Sequence, residues 1–246
     1  MPNFYDILNN VCVLAHEEKP TSFAVSDSPY SEIKQYINDI LEEVCSKYNW
    51  TFRERTFTLS TVVGQREYDL PSGVTPSGII QNSVRIGGNL SPLYYMIHSD
   101  LDSVAQASGK PFRYSIYANK LILDSTPDAV YSLTVKYLTV NFAYNIDDND
   151  DNDGDGATVE KPNLALETDL TIIPDRFIKV IEWGAYSLYR QNFKPDEKYS
   201  LARAKYIEFL LGMQKQDSHS GDSAPLIVIN QNLNPTQQIL KDFFRP

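Results

Sequence analysis

Cysteine is nearly absent: Cys12 and Cys45 stand alone, with no C-x-x-C and no histidine pair nearby. A disulfide framework and a zinc site are not indicated, so two buried thiols in a reducing compartment are expected. Histidine is equally scarce. His16, His98 and His219 are isolated, and neither H-E-x-x-H nor G-x-S-x-G occurs. Glycine-rich loops of the forms G-x-x-x-x-G-K-[ST] and G-x-G-x-x-G are missing as well, which disfavours nucleotide hydrolysis. No stretch approaches the ~20 apolar residues of a membrane span. The opening MPNFYDILNNVCVLAHEEKP has no basic region followed by an apolar run, so neither membrane insertion nor secretion is expected. Positive charge is in deficit: 22 Lys and Arg against 32 Asp and Glu leave a net charge of −10. Such a chain is poorly suited to adhere to nucleic-acid phosphates or to an anionic membrane surface. No catalytic residue is assigned. The enzyme alternative is a glycosidase on a β scaffold, whose paired carboxylates would meet only in the fold.

What is present supports a folded α+β protein. An apolar content of 42% and an aromatic content of 12% are those of a chain that buries a core. In residues 1–50, Phe4, Ile7, Leu8, Val11 and Leu14 recur at helical spacing over 4–15. A second helix is expected from Ser28 as cap and Pro29 at its first position to about Tyr48, with Ile33, Ile37, Ile40, Leu41, Val44 and Tyr48 on one face. The character changes at Trp50. Residues 51–145 read as an antiparallel β module, sandwich-like or a partial barrel, with strands in 51–71, 79–86, 93–96, 113–118, 120–123 and 131–140. A hairpin turn is placed at Ala118-Asn119, and SDLDSVAQA could form a short helix. Residues 146–173 read as an acidic linker. Residues 174–217 return to helix, with Phe177, Val180, Ile181, Gly184, Ala185 and Leu188 on one face and Tyr199, Ala202, Tyr206, Phe209, Leu210 and Met213 after Pro195. The helices before and after the β module must pack on each other, because neither apolar stripe is stable unpartnered. The β module is thus inserted into a helical bundle. Residues 218–246 form an extended C-terminal arm, too polar between its apolar patches to build a core, and docking on a partner is favoured over back-packing.

The run YNIDDNDDNDGDGATVEKP invites a metal reading. Asp151, Asp153 and Asp155 followed by Gly156 match the D-x-D-x-D-G start of a calcium loop. The twelfth position is Pro162, where a bidentate glutamate is required, and Glu160 comes two places early. A weak calcium site and a solvated, self-repelling linker both fit; no other cofactor is indicated.

Two stretches together carry a resemblance. SPYSEIKQYINDILEEVCSKYNWTFRERTFTLSTVVGQREYDLP has a Trp closing a helix, a strand containing Arg53 and Arg55, and G-Q-x-x-Y-D-L-P. GKPFRYSIYANKLILDSTPDAVYSLTVKY has G-x-P, an aromatic hairpin and P-D-x-x-Y-x-L-x-V-x-Y. In that order they resemble the head-to-tail adaptor (connector, or tail-tubular ring) proteins of short-tailed bacteriophages, over about residues 28–215. The resemblance implies a non-enzymatic virion structural protein of the neck, made in the host cytoplasm. It implies a ring, commonly of twelve copies, between the portal protein and a tail nozzle or tube protein. DNA would pass through the centre, where an acidic wall suits contact that is close and not adhesive. It also makes the arm the portal-holding segment, with Leu226, Ile227, Val228, Ile229, Ile239, Leu240, Phe243 and Phe244 as its anchors. The alternative from another class is a β-sandwich tail component that binds a receptor or glycan.

Overall fold

A computed structural model describes residues 1–87, 91–104, 107–145, 159–193 and 197–217. Helix α1 (Phe4–Ala15) starts at a capping box, in which the Asn3 side chain accepts from the Asp6 N–H and the Asp6 carboxylate accepts from the Asn3 N–H. It ends on His16 in the left-handed region at φ 59°. Helix α2 (Tyr30–Lys47) follows. Pro29, and not Ser28, occupies its N-cap, and no side chain caps it. Its stripe of Ile33, Ile37, Ile40, Leu41, Val44 and Cys45 is fully buried. Helices α4 (Lys179–Phe193) and α5 (Glu197–Gln216) complete the bundle, with α4 packed against α1, α2 and α5. Gly184 sits at the α2 crossing, where an added Cβ would lie 2.6 Å from Ile40 Cγ2.

Between α2 and α4 the described residues form ten strands in three sheets. Strands β1 (Glu54–Ser60), β7 (Ser132–Leu138) and β3 (Arg85–Ile86) form one sheet in the order β1-β7-β3. Strands β2 (Glu67–Asp69), β6 (Lys120–Leu123), β5 (Arg113–Tyr117) and β4 (Tyr94–Tyr95) form the second, in that order. These two share one apolar core that includes Tyr68, Val84, Tyr114, Leu121, Leu123, Leu133 and Val135. Within them only the β4–β5 pair is parallel. The β5–β6 hairpin turns at Ala118 and Asn119, both at positive φ (48° and 60°), which is the backbone a two-residue primed turn requires. Helix α3 (His98–Ser103) buries Leu101 beside β5.

Two segments depart from the strand pattern of the sequence. Residues Thr51–Arg53 form a 3-10 turn before β1 begins at Glu54. In 79–86 a single bridge from Ile79 to Tyr137 is followed by a turn, with Ser83 N–H on the Ile80 carbonyl and Asn82 at φ 61°, before β3.

The third sheet, β10 (Leu170–Thr171), β8 (Ala143–Asn145) and β9 (Val159–Lys161), belongs to the helical side. Phe142, Ala143, Leu164, Ile172 and Ile173 pack in one core with the four bundle helices. Residues 159–173, expected as linker, are thus built into the bundle. Their few apolar side chains find cover there, and α1 is tied to them through the Phe4 N–H on the Asp169 carbonyl, 2.9 Å.

Candidate functional site

The sequence points to surfaces and joints in place of a reaction centre. All of its metal and arm residues lie outside the described residues: Asp151, Asp153 and Asp155, then Leu226, Ile227, Val228, Ile229, Ile239, Leu240, Phe243 and Phe244. Pro195 and His219 lie outside them as well. Among the described residues no group of three or more His, Cys, Asp or Glu side chains is placed to hold a metal. Two features are well built there, a joint between the two cores and an exposed aromatic surface on the β module.

The joint begins with Trp50. Its indole N–H closes the C-terminal end of α2 on the Val44 carbonyl at 2.6 Å, and its ring lies between Tyr48 and Phe52. The chain then turns through Thr51–Arg53, and this turn aims Arg53 back into the interior, where it is 7% exposed. Arg53 Nε donates to the Thr139 carbonyl at 3.0 Å, and Nη1 donates to the carbonyls of Cys45 and Tyr48 at the end of α2. The guanidinium also lies over the Phe142 ring, 5.4 Å from its centroid. Burial lowers its pKa, yet guanidinium remains charged in proteins. A cation held against the last carbonyls of a helix is favoured by the helix dipole and satisfies acceptors that the helix leaves open. One side chain thereby connects α2, β1 and the end of β7.

Acidic partners lock the same joint from two further directions. Asp217, just past α5, accepts from the Thr51 N–H at 2.7 Å and from the Thr51 hydroxyl. Arg55 Nε meets Glu160 Oε1 at 2.7 Å, and Thr139 Oγ1 donates to Glu160 Oε2 at 3.3 Å, so β9 is pinned to β1 and β7. Beside this lies a cleft of about 340 Å³, lined by Asn49, Arg53, Gln81, Leu138 and Phe142 among others. Sequence alternation places Arg53 and Arg55 on one strand face; the turn at Thr51–Arg53 separates their roles. The signal for that turn is Trp50 so soon after the α2 stripe ends, since a ring that must reach back to α2 cannot enter a strand directly.

Asp169 plays the corresponding part within the third sheet. Its side chain is fully buried and accepts from the N–H groups of Ala165 (2.6 Å) and Leu166 (2.7 Å), from Asn145 Nδ2 (3.0 Å) and from Lys161 Nζ (3.4 Å). Burial alone would raise its pKa, but the backbone bonds, Asn145 and Lys161 together hold it below the ordinary carboxylate value. The two thiols are inert by the same reasoning. Burial pushes Cys45 up to about 12 and, with the Glu17 charge, Cys12 up to about 11.

Exposed apolar side chains occur on both halves of the described surface, among them Val13 on α1 and Leu201 on α5, but the exposed tyrosines lie on the β module. Tyr94 (72% exposed) on β4, Ile97 (61%) before α3, Phe112 (65%) before β5 and Tyr117 (56%) at the end of β5 are exposed there. The His98 ring stacks on Tyr117 at 4.3 Å. Aromatic side chains are enriched where a surface contacts another molecule. The arrangement can therefore do two things, transmit position between two cores and present a sticky aromatic edge.

Comparison with known proteins agrees with a structural reading. The chain matches the family model described as SU10 adaptor protein over residues 2–228. No curated protein matches it.

Proposed function

The chain belongs to the SU10 adaptor protein family, and from that membership we propose that it is a bacteriophage head-to-tail adaptor that works as one subunit of a ring, likewise proposed to hold twelve copies. In this reading the ring sits in the virion neck between the portal protein and a tail nozzle or tube protein. DNA passes through it, and the net charge of −10 favours contact without adhesion. The protein does no covalent chemistry, and its function resides in interlocking surfaces.

The observation that carries this is the extent of the family match, residues 2–228, which takes in both cores and the joint between them. The clamped joint supports it, because a part that transmits load between head and tail needs its two halves fixed to each other. The arm, with Leu226 to Ile229 and Ile239 to Phe244, is the segment assigned to the portal.

A second reading, a tail component that binds a receptor or glycan, draws on the exposed rings of Tyr94, Phe112 and Tyr117. Mixing the protein with its cognate portal and imaging the product by electron microscopy separates the two. The adaptor reading expects a portal-bound ring that is lost when the chain is cut after residue 217. A monomer that ignores the portal and binds envelope glycan would replace it with the second reading.

A further inference from the structure

Strand β1 is outermost in its sheet, and among the described residues no strand pairs with its far side. Its register with β7 decides which peptide groups are free. Arg53 accepts from the Thr139 N–H and the Thr61 N–H donates to Tyr131, so the odd-numbered peptide groups of β1 face β7. The N–H and C=O groups of Thr56, Thr58 and Ser60 therefore point away from the sheet, and all three residues are exposed. At one end the Glu54 carbonyl is closed off by Arg55 Nη1 at 3.1 Å. Beyond that point no backbone group of the described residues bonds to the edge. The strand ERTFTLS has no proline, lysine or glycine, and its two charged residues, Glu54 and Arg55, stand together at one end, so Thr56 to Ser60 lack the usual devices that keep an edge from pairing.

We propose that this edge pairs with the same edge of a second copy, antiparallel about a two-fold axis through Thr58. The register itself selects that occupant. With the axis at Thr58, Thr58 of one copy faces Thr58 of the other and Thr56 faces Ser60. All the open residues are used, and each facing pair exchanges both of its backbone bonds. On the opposite face Phe57 falls across from Leu59, both half-buried in the single chain. Hydroxyl pairs and an aromatic–aliphatic pair are favourable cross-strand neighbours, and no like charges meet. Moving the axis to Phe57 sets Ser60 against Glu54, whose carbonyl is already engaged. Moving it to Thr56 sets Phe57 against Arg55. A two-fold contact closes after two copies, so this dimer is a state of the free chain and stands or falls independently of the ring.

Light scattering of the full chain over a dilution series reads the result. The expected mass at high concentration is twice the 28.0 kDa of one chain, falling to the single mass on dilution. Thr58→Pro removes an N–H that makes no bond within its own sheet, so the fold, checked by circular dichroism, is kept while the dimer is lost. Thr58→Cys is expected to cross-link to itself on oxidation, because opposed Cα atoms in such a pair lie ~5.5 Å apart, within disulfide reach. The native Cys12 and Cys45 are buried, so a new thiol at position 58 is the one that reacts. Thr56→Cys, which would face Ser60, is expected not to cross-link. A wild-type chain that stays monomeric at millimolar concentration overturns the proposal. So does a dimer that survives Thr58→Pro, or equal cross-linking by the two cysteine variants.

Discussion

At the scale of single residues, two positions hold the helical side together by opposite means, one by having no side chain and one by having a charged one. Gly184 lets α4 approach α2 until Ile40 Cγ2 fills the space a Cβ would need. Gly184→Val must therefore push Ile40 aside, and since the branched methyl is close to the backbone it has little room to give. Overpacking of this kind costs ~1–3 kcal/mol. Valine gains little helix propensity in return. Denaturant unfolding should show the loss, and adding Ile40→Ala should recover part of it; an unchanged midpoint for Gly184→Val would show that the helices can separate freely.

Asp169 makes the opposite contribution, visible through pH. Its folded-state pKa is held below the unfolded one, so the stabilisation is present above the unfolded value of about 3.9. It is lost as pH falls through the folded value. The melting temperature should accordingly drop on the acid side, and Asp169→Asn should be less stable at neutral pH with a flatter acid limb. Parallel pH profiles for the two proteins would remove Asp169 from the account.

At the scale of elements, legibility in the sequence followed how local the cause was. Helix α1 occupies 4–15 as its spacing required, because Asn3, Asp6 and the apolar stripe all lie within the element. The β5–β6 hairpin was legible for the same reason, since Ala118 and Asn119 set the turn. What the sequence pattern hid depended on distant partners. The third sheet pairs two- and three-residue strands from either side of the aspartate run, and segments that short have no periodicity to read. They are strands because the bundle supplies Phe142, Leu164 and Ile173 with cover. Arg53 was hidden in a related way. Alternation is blind to a turn that reverses a side chain, and its partners Cys45 and Thr139 come from elements on both sides of it. The candidate surface was the least legible of all, because exposure of Tyr94 or Phe112 is decided by which sheet edge β4 occupies, and its parallel pairing with β5 has no local signature.

At the scale of the whole molecule, the question is whether two apolar cores behave as one folding unit. The helical core and the β core share no member residue, so cooperation between them must pass through the joint. There the connections are few and strong: Arg53 bonded to carbonyls at the end of α2 and beyond β7, Thr51 held by Asp217, and Arg55 paired with Glu160. Replacing Arg53 by Met keeps the volume but leaves buried carbonyls without donors, at ~1–3 kcal/mol for each group orphaned. Since those bonds are what couple the cores, the expected effect is loss of cooperativity as well as of stability. The aromatic residues provide separate reporters. Both tryptophans, Trp50 and Trp183, pack on the helical core, so their fluorescence follows that core alone. Circular dichroism follows both cores at once. In the wild-type protein the two melting curves should coincide, as a two-state unit requires. In Arg53→Met combined with Asp217→Ala they should separate, because the β core can then open while Trp50 and Trp183 stay packed, or the reverse. Coincident curves for that double variant, shifted together to lower temperature, would mean that the cores communicate by packing across the cleft and that the polar joint fixes their orientation without linking their stabilities.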